Sequence, residues 1–200
     1  RELVLEAIAA GVAVIADKPF APDAKPGREL ADAAKAKGVV LSVYHNRRFD
    51  ADIQTLRKVI EQQRVGKLWR MHNRMDLDDP HTLEGGEAGG LLRDIGSHLV
   101  DQTLWLLGPV KSVYAHTDIV DHSDGPTNAS FVITLTHTSG VHSHISARNL
   151  NWLATRELII YGDKGSYTPN GTDAQAQAIF AGQRPADDLA AWGYVKQARC

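Results

Sequence analysis

Asp94 and His98 lie four residues apart, so on a helix they share one face about one turn from each other. A carboxylate and an imidazole so placed can pass a proton, because the unperturbed imidazole titrates near ~6.5. The plainer reading is a partly exposed helix with an Asp–His contact and no chemistry. The pair belongs to the stretch Gly89-Gly90-Leu91-Leu92-Arg93-Asp94-Ile95-Gly96-Ser97-His98-Leu99-Val100-Asp101. Its glycine pair supplies a loop. Leu91, Ile95, Leu99, Trp105 and Leu106 supply the apolar stripe that would seat a helix running on to Leu107.

A second reactive group stands upstream, in Asp17-Lys18-Pro19-Phe20. The Lys18 ammonium could donate to an oxygen that gains negative charge during reaction. Taken alone, it is a surface lysine at a strand end. Nine histidines raise a metal question. His142 and His144 share a strand face, and His137 stands across the turn from them. No cysteine or carboxylate cluster joins them, so the sequence predicts polar residues on a sheet surface and no metal. His144, with Arg148, would line a substrate pocket instead.

The elements around these groups change character along the chain. Residues 2–10 read as a helix stopped by Gly11. With no cap before it, that helix is expected to continue from a preceding segment. Val12–Ala16 is a short apolar run, expected to be a strand buried on both faces. Asp17 to Pro19 then stand at its carboxyl end, where open α/β sheets bind ligands. Asp23 would cap a helix reaching Lys37, and Gly38 would stop it. Val39–Tyr44 is the next strand. Helix, strand, helix, strand is α/β alternation around a parallel sheet.

After His45 the pattern is α+β. Asn46-Arg47-Arg48-Phe49 leads into a helix over Ala51–Gln63, followed by a strand over Lys67–Leu77. From Val110 four strands are predicted, over Val110–Val120, Ala129–His137, Val141–Asn149 and Ala154–Tyr161, with a short one at Ser166–Thr168. Short turns between them predict an antiparallel meander with helices on one face. Residues 173–181 read as helical, and Gly182–Cys200 as weakly structured.

Two hundred residues with a net charge of -2 suffice to bury a core and carry no basic footprint for nucleic acid. No apolar run has the length of a membrane span, and the first residues carry no signal-peptide pattern. The one cysteine, Cys200, fits a reducing cytoplasmic compartment and allows no internal disulfide.

Taken together, four segments in order make the chain resemble the glucose–fructose oxidoreductase / inositol dehydrogenase family, Gfo/Idh/MocA. Ala9–Phe20 is similar to the family's strand followed by Glu-Lys-Pro, with Asp17 in place of Glu. Asn46–Phe49 resembles its segment at the domain crossover. Gly89–Asp101 resembles its Gly-Gly…Asp-x-Gly-x-His…Asp signature. Tyr161-Gly162-Asp163-Lys164-Gly165-Ser166 resembles its Gly-x-x-Gly turn.

The resemblance implies a nicotinamide-dependent oxidoreductase acting on sugars, cyclitols or related polyols and ketones. It makes residues 1–45 the C-terminal part of a dinucleotide-binding Rossmann domain. Residues 46–200 become a substrate-binding and oligomerisation domain with an open, mostly antiparallel sheet. Lys18, Asp94 and His98 would be its catalytic group. Asp17, Lys18, Pro19, Asn46 and Arg47 would contact NAD or NADP. Lys18, Asp94, His98 and His144 would meet the substrate. A homo-oligomer, dimer or tetramer, would form through the sheet. The glycine-rich phosphate loop is not among these residues. The competing expectation is therefore an inactive fragment serving only as a substrate-domain and oligomerisation module.

Overall fold

A computed structural model describes residues 1–86, 88–187, 189–190 and 192. Cys200 and most of the weakly structured end expected from Gly182 onward lie outside them. The chain divides into two units, Arg1–His45 and Asn46–Cys200.

In the first unit, α1 (Glu2–Ala9) and α2 (Ala24–Lys37) alternate with β1 (Val14–Ala16) and β2 (Leu41–Val43). The Asp23 carboxylate caps α2 by accepting from the Lys25 backbone N–H at 2.8 Å. Gly38 ends it at φ 71°, a left-handed conformation that favours glycine. β1 and β2 pair in parallel, Val14 opposite Leu41. Ile8, Leu30 and Ala34 form the buried contacts of the helices. The first strand is not buried on both faces as its composition predicts. Ile15 is 75% exposed and Val12 54%. The described residues of this unit place helices against one side of only two strands, and an apolar run cannot report how many layers surround it.

The second unit opens with a 3-10 turn, Asn46–Phe49, and α3 (Ala51–Glu61). Then follow β3 (Leu68–Asp78), a 3-10 turn at Pro80–Thr82, a π-turn at Leu92–Gly96 and α4 (Ser97–Leu107). Strands β4 (Val110–Val120), β5 (Thr127–His137), β6 (His142–Arg148), β7 (Leu150–Gly162) and β8 (Gly165–Tyr167) come next, then α5 (Ala174–Phe180). The six strands form one sheet in the order β4-β5-β6-β3-β7-β8.

The expected meander is therefore broken. β3 inserts between β6 and β7, parallel to the first and antiparallel to the second. Its central place follows from burial, since Met71 and Met75 enter two adjacent core clusters. Buried Asn149 holds the corner between β6 and β7. Its Oδ1 accepts from the Asp79 N–H at 3.1 Å, and its amide faces Thr82 Oγ1 at 3.3 Å. Strand alternation reveals which side chains face inward but not which strand lies next door.

The two faces of this sheet differ. On one, Phe131, Ile133, Ile145, Ala147 and Met75 pack under Leu91, Ile95 and Leu99. Beside them Ile53, Leu56 and Val59 of α3 cover Met71, Leu158 and Ile160. The alternate residues, including Thr134, His144 and His72 in one row, form the opposite, open face.

Candidate active site

The helix expected from Gly89 begins as a wide π-turn and becomes regular only at Ser97. Gly90 has φ 102°, and a Cβ there would lie 2.2 Å from Asn128 Nδ2. That close approach lets Asn128 Oδ1 accept from the Leu92 N–H at 2.7 Å, which secures the entry. Gly96 closes the turn against the sheet. A Cβ there would meet Leu92 at 2.7 Å and Phe131 at 3.2 Å. Gly96→Val is expected to cost about 1–3 kcal/mol by overpacking, read as a lower denaturant midpoint at unchanged slope. π-turns often sit at functional sites, and this one carries Asp94.

Asp94 is half-buried in that turn, and His98 is buried in the first turn of α4. One turn beyond His98, fully buried Gln102 donates from Nε2 to the Arg47 carbonyl at 3.0 Å. Its Oε1 accepts from Asn73 at 3.3 Å. Arg48 makes a two-pronged pair with Asp101 at 2.7 and 2.5 Å. Arg48 and Arg57 both stack on Trp105. The helix bearing His98 thus also holds the crossover segment bearing Asn46 and Arg47.

Arg47 spends its guanidinium on two carboxylates, Asp173 and Asp50. Burial works against its charge, yet these two partners hold it above the ordinary arginine value. Behind them lies Arg156, whose ionisation burial disfavours. Arg156 Nη1 donates to Asn73 Oδ1 at 2.6 Å and to the Arg74 carbonyl at 3.1 Å. Asp52 is 2% exposed, and burial raises its pKa.

Burial pushes the Asp50 carboxyl to about 6; Asp52 and Asp173 add to the rise and Arg47 opposes it. Folded Asp50 therefore binds its proton more tightly than the unfolded chain does. Its stabilising contribution is complete below the ordinary aspartate value of 3.8 and is lost as pH rises through about 6. Denaturant melts from pH 4 to 7.5 are expected to show the native protein losing stability relative to Asp50→Asn across that window.

In the first unit, the Asp17 carboxylate accepts from the Lys18 backbone N–H at 2.8 Å, and the Lys18–Pro19 bond is cis. These residues stand beyond the carboxyl end of β1, the edge at which parallel sheets hold nucleotides. A lysine ammonium at that edge suits the polar reacting end of a dinucleotide. No Gly-x-Gly-x-x-Gly pyrophosphate loop lies within residues 1–45.

Two of the histidines singled out by sequence occupy different settings. His144 lies on the open face, paired with Thr134 and His72, whereas α4 with His98 covers the other face. The period of two along a strand separates it from the Asp94–His98 group. It lines a cavity of about 450 Å³ with Arg70, His142 and Tyr161. His137 is a core histidine, its ring nitrogens 2.9 Å from the Gly108 carbonyl and 2.7 Å from Ser143 Oγ. It cannot join His142 and His144 across the sheet. Among the described residues no three His, Cys, Asp or Glu side chains gather into a metal-holding group.

Gln102, Asn73, Asp50, Asp173 and Arg156 escaped the sequence reading. One signal was present. Arg156, Leu158 and Ile160 alternate on one strand face, which places an arginine in register with core residues.

The first unit thus carries Lys18 at the edge of parallel strands, and the second an open sheet whose covered face is backed by the helix bearing His98. The chain belongs to the GFO/IDH/MocA family: residues 53–168 match its C-terminal domain, and residues 1–45 match the oxidoreductase family with the NAD-binding Rossmann fold. It is 33% identical over 197 residues to scyllo-inositol 2-dehydrogenase (NADP(+)) of Bacillus subtilis, covering 96% of this chain and 54% of that protein. An uncharacterized oxidoreductase, YdgJ of Escherichia coli, is 30% identical over 96% of this chain and 56% of its own length. The solved oxidoreductase yvaA of Bacillus subtilis superposes with a TM-score of 0.84 at 32% identity, covering 98% of this chain and 56% of that one. The chain thus spans about half the length of these relatives. Among the described residues no helix is long and apolar enough to cross a membrane.

Proposed function

We propose that this chain works within a nicotinamide-dependent oxidoreductase that moves hydride between NAD or NADP and a sugar, cyclitol or related polyol or its ketone. The observation that most supports this is the helix carrying buried His98, with Asp94 in the π-turn before it, fastened to the crossover segment by Gln102. A named relative acts on scyllo-inositol with NADP(+), which supports the polyol class.

The bound nicotinamide would supply the hydride acceptor in the oxidising direction. Lys18 donates to the substrate oxygen and stabilises its negative charge as the carbon loses hydride. His98 takes the hydroxyl proton and returns it in reduction. Asp94 orients the imidazole or binds a neighbouring hydroxyl. Asp17 and Pro19 shape the loop around Lys18, and Asn46 faces the cofactor from the crossover. Arg47, already engaged by Asp50 and Asp173, serves by holding that crossover in place.

In this reading residues 1–45 are the C-terminal part of the dinucleotide domain, and residues 46–200 bind substrate and assemble the oligomer. The open sheet face, with Tyr114 71% and Val132 47% exposed, supports self-association through the sheet. The single cysteine supports a cytoplasmic setting.

The test is a panel of polyols with NAD and with NADP, assayed on the native protein at its full length. Saturable nicotinamide reduction with one of them is the expected result; none with either cofactor overturns the proposal. Intact mass decides the competing reading of an assembly module. A native mass matching the 21.8 kDa of this chain, with no dinucleotide binding, would favour the module.

A further inference from the structure

Three consecutive carbonyls of the crossover are each held by a glutamine from a different helix. Gln102 of α4 donates to Arg47 O at 3.0 Å, Gln54 of α3 to Arg48 O at 2.5 Å, and Gln175 of α5 to Phe49 O at 3.3 Å. Gln175 also accepts from the Ala51 N–H at 3.3 Å, so it spans the join between crossover and α3. Two residues before it, Asp173 pairs with Arg47 through Oδ1 and faces Arg156 Nε at 3.9 Å through Oδ2. Asp173 has φ 52° and ψ 30°, a left-handed conformation that few residues other than glycine, asparagine and aspartate adopt. The segment Asp173–Gln175 therefore closes a bracket whose other members are α3 and α4.

We infer that Asp173 is a positioning residue: by clasping Arg47, with Gln175 beside it, it fixes the crossover that presents Asn46 to the dinucleotide. The inference rests on the function proposed above. Its physical basis is preorganisation. A short turn with three of its carbonyls engaged has few alternative conformations, so less order must be imposed when a ligand arrives. The buried charges give the clasp its specificity. Asp50, Asp52 and Asp173 surround Arg47 and Arg156, and Asp173 is the carboxylate that faces both guanidinium groups. Asp173 stands 126 positions from Arg47 in sequence, so no local rule brings them together.

The test compares Asp173→Asn and Gln175→Ala with the unaltered full-length protein. Hydrogen exchange is followed at the amides of residues 47–51, and dinucleotide binding by fluorescence titration with NAD and NADP. Exchange at the crossover is expected to speed at least about tenfold in both variants. The dinucleotide Kd is expected to rise about three- to tenfold, with kcat within about twofold of the parent. Gln175→Ala removes no charge and keeps the test decisive if Asp173→Asn fails to fold. Unchanged exchange in the folded variants would overturn the inference. Faster exchange with an unaltered Kd would also overturn it, by reducing the clasp to a structural tie. Failure of the unaltered protein to bind either dinucleotide would instead sink the proposed function, and exchange alone would then decide whether Asp173 holds the crossover.

Discussion

Lys18→Ala in the native full-length protein lowers kcat/KM for polyol oxidation about 10²- to 10³-fold, the loss expected when one donor to a developing oxyanion is removed. The effect falls on the chemical step, because the ammonium interacts most strongly once the oxygen carries negative charge. Dinucleotide Kd should change by less than about threefold, which separates this role from a general electrostatic attraction. Arginine at the position should not restore turnover. Its planar fork carries charge but cannot present the compact point donor of a lysine. The local frame supports a fixed placement: Asp17 Oδ1 holds the Lys18 N–H, and Pro19 fixes the chain beyond it. Equal turnover in Lys18→Ala and the parent would remove Lys18 from the mechanism.

The second large effect is at His98. His98→Asn should lower kcat about 10²- to 10⁴-fold, the range of a positioned acid–base group. The fold should survive, since Leu99 and Ile95 keep the apolar seat of the helix. The pH–rate profile gives the sharper readout. Oxidation needs the neutral imidazole as base, so the parent should lose activity toward acid pH. The variant should lack that limb. Asp94→Asn should retain more activity than His98→Asn, because an orienting carboxylate acts through the imidazole. A variant profile that keeps the acidic limb would assign the base elsewhere.

Legibility in the sequence followed the range of the interactions. α2 could be read closely, because Asp23, the Leu30/Ala34 stripe and Gly38 are local signals. The strand from Val110 to Val120 also falls where alternation and turns place it. The insertion of β3 between β6 and β7 could not be read, since strand neighbours are chosen by burial of distant residues such as Met71 and Met75. The π-turn was hidden because Leu91, Ile95 and Leu99 keep helical spacing, while the wider turn depends on Asn128 and on the space that Gly96 leaves.

Asp94 and His98 stand out as candidates in the sequence because they lie four apart on one segment. The crossover bracket was not, because Gln54, Gln102 and Gln175 carry no motif and converge only through the fold. His144 shows the limit of residue type as a guide to position. Its residue type suited a substrate pocket, but strand periodicity turns it to the open face.

The central claim is direct hydride transfer between a polyol carbon and a nicotinamide, and isotope transfer tests it most directly. The native full-length protein would be incubated with a polyol deuterated at the oxidised carbon and with NAD or NADP. Mass spectrometry of the recovered cofactor gives the answer. The account predicts one deuterium in the reduced nicotinamide, with a primary isotope effect that persists in Asp173→Asn and accompanies residual turnover in Lys18→Ala. Substrate oxidation without deuterium in the nicotinamide would contradict it.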